Sequence, residues 1–225
     1  MAASWVANKC GGVRWRTLRD GTIEVEGIGV PTIDPAGAQF RNMAQTWANW
    51  KAIMAPAARE HDVPLPWVLA IATVETGYLA GDPAKQASVS SSAGAVGVMQ
   101  LMPLTAKMLG MTAAERTDPE KNIWGGVKLM RLLADGATGP ELPNIASAYN
   151  AGSGSTGLGV RCATGRNEWN LMSDANYPRQ AVQLQNTARL YLDLQTSRVS
   201  AAMVTGVGLA IAGIAVAVYM VGYRS

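Results

Sequence analysis

Apolar residues recur along this chain at two spacings. Between residues 11 and 30 they alternate with polar ones: Val13 and Trp15 against Arg14 and Arg16, then Ile23, Val25 and Ile28 after Asp20-Gly21. Alternation on both sides of an Asp-Gly pair predicts a β-hairpin, docked on the core or forming part of a rim. From Asp34-Pro35, a helix-start signal, the spacing changes to three and four. Phe40, Met43, Trp47, Trp50 and Met54 then share one side of a helix that Pro56 is expected to interrupt. That stripe reads as core packing rather than as a sugar platform. Residues 66–77 are apolar almost all round, as expected of a central buried helix. Further helices are predicted over 99–109, from Asp118-Pro119 to near Gly136, from Pro143 through NIASAYNAG, and from about Pro178. Residues 153–173 form a glycine-rich loop long enough to be a functional rim.

No breaker separates the last helical pattern from residues 199–223, which carry no charge and are bracketed by Arg198 and Arg224. At 1.5 Å per residue this stretch can cross a hydrocarbon core of about 30 Å, so a C-terminal transmembrane helix is expected. A helix buried among protein partners is the alternative. Small residues four apart, Ala202/Gly206 and Gly213/Ala217, favour close helix packing and hence a homo-oligomer or a membrane partner. The expected organisation is an N-terminal extension with the hairpin (1–33), a helical domain (34–197) and a membrane helix (198–225).

A formal charge of +3 and a pI near 9.0 permit loose attraction to an anionic wall or membrane surface. They leave no nucleic-acid footprint; Arg14, Arg16 and Arg19 read as the solvated face of the hairpin. His61 is the single histidine, which argues against His-rich metal sites and a Ser-His-Asp arrangement; it reads as a helix cap. Cys10 and Cys162 lack metal-ligand spacing, and whether they pair is open. No metal or cofactor is expected.

The chemistry concentrates between Val74 and Ala106. Glu75 lies near the end of the apolar helix, with no Lys or Arg within nine residues on either side. A carboxyl packed there against apolar and glycine-rich surroundings is desolvated, which raises its pKa towards that of a general acid. The loop that follows is made of small residues, so its backbone can approach a bound polymer. Asp82 is the one other acid between Glu75 and Gln100, while Glu115 and Asp118 read as helix-start residues.

The wording E-T-G-Y, then S-x-x-G-A-x-G-V-M-Q-L-M-P-x-T-A, N-I-x-x-G and A-Y-N-A-G resembles the lytic transglycosylases of the soluble-lytic and goose-lysozyme-like superfamily, over roughly residues 45–195. The resemblance implies a mainly α, lysozyme-like (α+β) domain acting on peptidoglycan. It implies that Glu75 serves first as acid and then as base, cleaving the bond after N-acetylmuramic acid with closure of a 1,6-anhydro ring. Ser91 would bond near the carboxyl or the sugar, or simply solvate the loop. Met99 would wall the groove, and Gln100 would donate to an acetamido group or else cap a helix. Tyr149 would orient the acetamido group or the carboxylate, beside Asn150, and Tyr177 would be a later groove-facing aromatic. Thr76 stands where serine commonly follows the glutamate, and Val98 where leucine is usual.

The first fifteen residues contain no apolar core of signal-peptide length, whereas the wall lies outside the inner membrane. A phage particle would deliver such an enzyme without secretion, so a virion-associated transglycosylase opening the wall during genome entry is expected. A bacterial tail-anchored remodelling enzyme is the other setting. The alternative activities are a goose-type hydrolytic lysozyme and a non-catalytic glycan-binding or membrane-channel protein of the virion.

Overall fold

The computed structural model describes residues 4–8, 10–136, 139–151 and 176–205, the stretch 198–205 as helical backbone. The fold is mainly helical with one small antiparallel sheet. Strands β1 (Trp15–Thr17) and β2 (Ile23–Val25) pair Trp15 with Val25, Arg16 with Glu24 and Thr17 with Ile23. The turn is the expected one. Asp20 Oδ1 accepts from the Thr22 backbone N–H at 2.9 Å, and Gly21 supplies the left-handed residue at φ 81°. One face of the hairpin is core: Trp15, Ile23 and Val25 are buried. On the other, Arg14 and Arg16 pair with Glu26 and Glu24 and lie over the Trp5 ring.

Helix α1 (Ala38–Glu60) starts later and ends later than its sequence signals suggest. Asp34 closes a turn, its side chain accepting from the Ala36 N–H at 2.9 Å and its carbonyl from the Gly37 N–H at 3.0 Å. The helix begins only after that turn. Pro56 is carried inside the helix, whose packed face (Met43, Trp50, Met54, Ala57) outweighs one missing backbone bond. His61 is the C-cap; its N–H donates to the Ala57 carbonyl and its ring meets Trp124 edge-on.

Helix α2 (Leu65–Thr76) is the buried centre, with Val68, Leu69, Ala70, Ile71 and Ala72 fully covered. A 3₁₀ turn, Gly77–Leu79, follows it. Two short helices lie between the predicted ones: α3 (Pro83–Ser88), capped by Asp82, and α5 (Ala113–Thr117), closed by a Thr112/Glu115 capping box. The helix expected over 99–109 is confined to α4 (Pro103–Met108). Gln100 takes φ 45°, which a right-handed helix cannot contain, and Pro103 is pre-shaped for the first turn. Helix α6 (Pro119–Asp135) starts on Asp118 as expected, and α7 (Leu142–Ala151) follows.

Helix α8 (Tyr177–Thr205) packs along α2 and α7 and carries the hairpin. Asn186 works as a substitute strand. Its Oδ1 accepts from the Ile23 N–H at 2.7 Å, and its Nδ2 donates to the carbonyls of Ile23 and Pro31, both at 2.9 Å. Gln185 donates to the Gly21 carbonyl at 2.7 Å. The N-terminal hairpin is thus docked on the core. Among the described residues no helix is long and apolar enough to cross a membrane. Residues 206–225 of the expected membrane helix, and the 153–173 loop with Cys162, lie outside the described residues. No described cysteine is free.

Candidate active site

Glu75 is the penultimate residue of α2, placed there by a helix that is apolar on nearly every side. The 3₁₀ turn carries the chain away, so the carboxyl sits at a helix end, partly covered. Tyr177, the first residue of α8 and buried, donates its hydroxyl to Glu75 Oε1 at 2.5 Å. Burial pushes the Glu75 pKa up from 4.5 to about 7, with Tyr177's donation pulling the other way. Burial lifts both tyrosines near it, Tyr177 and Tyr149, well above 10, and the Glu75 charge adds to the effect. Both therefore stay protonated donors at neutral pH. A carboxyl that titrates near 7 can deliver a proton and then take one back.

Facing it is the glycine loop, residues 89–102. Ser91 closes its tip: its N–H donates to the Ala95 carbonyl at 2.8 Å, and its hydroxyl accepts from the Ala95 N–H at 3.0 Å. Gly97, at φ 78°, lies so close to α6 that an added Cβ would stand 2.6 Å from the Asn122 side chain. Asn122 is the residue that holds this loop. Fully buried, it donates to the carbonyls of Val96 and Arg116 at 2.9 Å each and accepts from the Met99 N–H at 2.8 Å. Both amide hydrogens and the amide oxygen are partnered by backbone, as a buried amide requires.

The expected site residues fall into two groups. Glu75, Tyr177 and Tyr149 come together; Tyr149 donates to the Met99 carbonyl at 2.8 Å, so its hydroxyl braces the loop beside Glu75. Gln100 spends its amide N–H on the carbonyls of Gly97 (2.8 Å) and Val89 (3.3 Å), holding its own left-handed turn and leaving Oε1 as an acceptor. Met99 differs from expectation. Its side chain is fully buried, packed where a Cβ on Gly126 would stand 2.6 Å away, so it supports the loop from within. Asn150 is exposed at the end of α7. Two positions that the sequence left without a role, Asn122 and Gln86, each make three side-chain hydrogen bonds behind the site. Asn122 had a signal, since it opens the N-I-x-x-G motif and Gly126 closes it.

The other acids that the sequence singled out are committed elsewhere. Asp82 caps α3, accepting from the Lys85 N–H at 3.1 Å; Glu115 and Asp118 serve helix starts as expected. Burial and Tyr177 account for the Glu75 pKa, with no second carboxylate entering among the described residues.

A family profile described as Transglycosylase SLT domain matches residues 52–172, spanning every element of this site except α8. The chain belongs to the SLT transglycosylase family. Its relatives include a transglycosylase of Enterobacteria phage PRD1, 54% identical over 46 residues, which are 20% of this chain and 17% of that protein. A membrane-bound lytic murein transglycosylase F of Cellvibrio japonicus is 33% identical over 111 residues, 47% of this chain and 21% of that one. This chain therefore spans about a fifth of the length of those relatives. Among solved structures, the lytic transglycosylase Slt of Pseudomonas aeruginosa aligns with 64% of this chain and 24% of its own, at 22% identity and a TM-score of 0.49.

Proposed function

We propose that this SLT-family chain is a peptidoglycan lytic transglycosylase in which Glu75 is the sole acid and base. The observation that carries the reading is a carboxyl held near pKa 7 by burial, bonded to a buried tyrosine and without a second carboxylate beside it among the described residues. Glu75 protonates the glycosidic oxygen on the far side of N-acetylmuramic acid while the sugar's own acetamido oxygen attacks the anomeric carbon. The resulting Glu75 carboxylate then removes the proton from the C6 hydroxyl. That oxygen displaces the acetamido oxygen and closes the 1,6-anhydro ring. Atoms balance without water. Tyr177 holds one carboxyl oxygen, leaving Oε2 for the proton in transit. Ser91, Gln100 and Asn150, at the exposed side of the loop and of α7, are assigned to the glycan; Met99 acts through its carbonyl and Tyr149.

A hydrolytic reading needs a second acid to aim a water, and Asp82, the nearest candidate in sequence, is spent as a helix cap. For the setting, we place the protein in a phage particle, anchored by residues 198–225 and opening the wall during genome entry. The partial likeness to a phage transglycosylase and the uncharged 199–223 stretch support this setting.

The test is mass analysis of muropeptides released from purified sacculi by the full chain, beside Glu75→Gln. Products ending in 1,6-anhydro sugar and absent with the variant are expected. Reducing-end products would make water the acceptor, and no release by folded protein would remove the enzymatic reading.

A further inference from the structure

Helix α3 lies on the surface, yet one of its residues, Gln86, is fully buried. Its amide joins two other elements. Oε1 accepts from Trp50 Nε1 of α1 at 2.7 Å; Nε2 donates to Thr46 Oγ1 of α1 at 3.3 Å and to Thr76 Oγ1 of α2 at 3.2 Å. The Thr76 hydroxyl in turn donates to the Val98 carbonyl of the glycine loop at 2.9 Å. A second tie runs parallel, from Asn49 of α1 to the Ala80 carbonyl at 2.8 Å, just past the 3₁₀ turn. Buried amides are retained at a cost unless every group finds a partner, and here each does.

The geometry matters because Thr76 is next to Glu75. Successive residues point about 100° apart around a helix, so anchoring Thr76 towards α1 and the loop sets the direction in which Glu75 leaves the last turn. That direction is towards α8, where Tyr177 waits at 2.5 Å.

We propose that Gln86 is a positioning residue for Glu75: through Thr76 it locks the last turn of α2 and the glycine loop into the arrangement in which Glu75 meets Tyr177. The inference rests on Glu75 being the working acid. Among the described residues, the ionisable groups acting on Glu75 are Tyr177, through its bond, and Tyr149, whose own pKa the Glu75 charge raises. Gln86, Thr46, Trp50 and Thr76 carry no charge. Replacing Gln86 therefore reaches Glu75 only through placement and access of water.

The test uses the full chain with Gln86→Leu, Thr76→Val, Thr76→Ser and a distant core control, Leu133→Ala. Four quantities are read for each: the Glu75 carboxyl titration by carbon NMR, kcat and KM on soluble glycan oligomers, and Tm. Gln86→Leu and Thr76→Val should move the Glu75 titration towards the ordinary carboxyl range. They should lower kcat about tenfold with KM within about twofold, the pattern of a misplaced catalytic group. Thr76→Ser should restore both, and Leu133→Ala should lower Tm without either change. An unmoved titration and kcat in Gln86→Leu, or changes matched by Leu133→Ala at equal loss of Tm, would overturn the proposal. If Gln86→Leu does not fold, the Thr76→Val and Thr76→Ser pair makes the same comparison. Wild-type protein that cleaves no glycan would refute the function, while the titration would still decide the role of Gln86.

Discussion

Replacing Glu75 by glutamine should make the protein more stable, by an amount that pH controls. Burial lifts the Glu75 pKa from 4.5 to about 7, so the folded state holds the proton more tightly than the unfolded chain does. At a pH well below 4.5 the group is protonated in both states and costs nothing. As pH rises, the unfolded chain ionises freely while the folded state resists, and stability falls until the folded group ionises near 7. Above that the penalty is complete. The gap corresponds to about 3 kcal/mol at about 1.36 kcal/mol per pH unit, and partial contact with solvent brings the expectation to about 2–3 kcal/mol. Glutamine keeps an oxygen for Tyr177 and carries no charge, so it escapes the penalty. Urea unfolding of the two proteins at about pH 4 and about pH 8 reads this out. The curves should nearly coincide in acid and separate in base, with the variant more stable. A difference independent of pH, or a wild type more stable at about pH 8, would show that the carboxyl is not held in a desolvated site. Enzymatic activity should move in the opposite sense, since the variant has no acidic proton to deliver.

Four further outcomes follow from the same contacts. Tyr177→Phe removes the donor that favours ionised Glu75, so the alkaline limb of kcat/KM on glycan should shift upward by about one to two pH units; an unmoved limb would detach Tyr177 from the acid. Asn122→Asp replaces the amide donor to Val96 and Arg116 with an acceptor, and urea unfolding should show a loss of about 2–4 kcal/mol. Gly126→Ala drives a methyl group into Met99 and should cost about 1–3 kcal/mol in the same assay, with partial recovery in combination with Met99→Ala. Asn186→Ala unties the hairpin from α8, so exchange of the Ile23 amide hydrogen should quicken while that of Leu69 in α2 stays slow.

Local chemistry carried much of the architecture into view. Asp20-Gly21 dictates its turn because glycine tolerates positive φ and aspartate caps the backbone two residues on. Asp118-Pro119 starts α6 by the same kind of short-range logic, and the uninterrupted apolar run of α2 can only be buried. The desolvation of Glu75 was legible too, since a carboxylate at the end of that run has no Lys or Arg within nine residues. The shifted boundaries have two sources: the late start of α1 is local, set by the turn that Asp34 closes, and the others are long-range. Pro56 and Met99 obey contacts made by residues far away in sequence: a packed face in α1, and an Asn122 side chain that claims the Met99 N–H before a helix can form there.

Residue type and spacing therefore determined the long helices, that the hairpin turns at Gly21, and that one acid stands apart from the rest. Only the tertiary structure decided what that acid meets. Tyr177 lies 102 residues from Glu75, Asn186 lies 163 from Ile23, and Gln86 reaches back 36 residues to Trp50. Such pairings leave no periodic trace, because a hydrogen bond between distant segments constrains two side chains at a single point. A helix face, by contrast, repeats its demand every three or four residues.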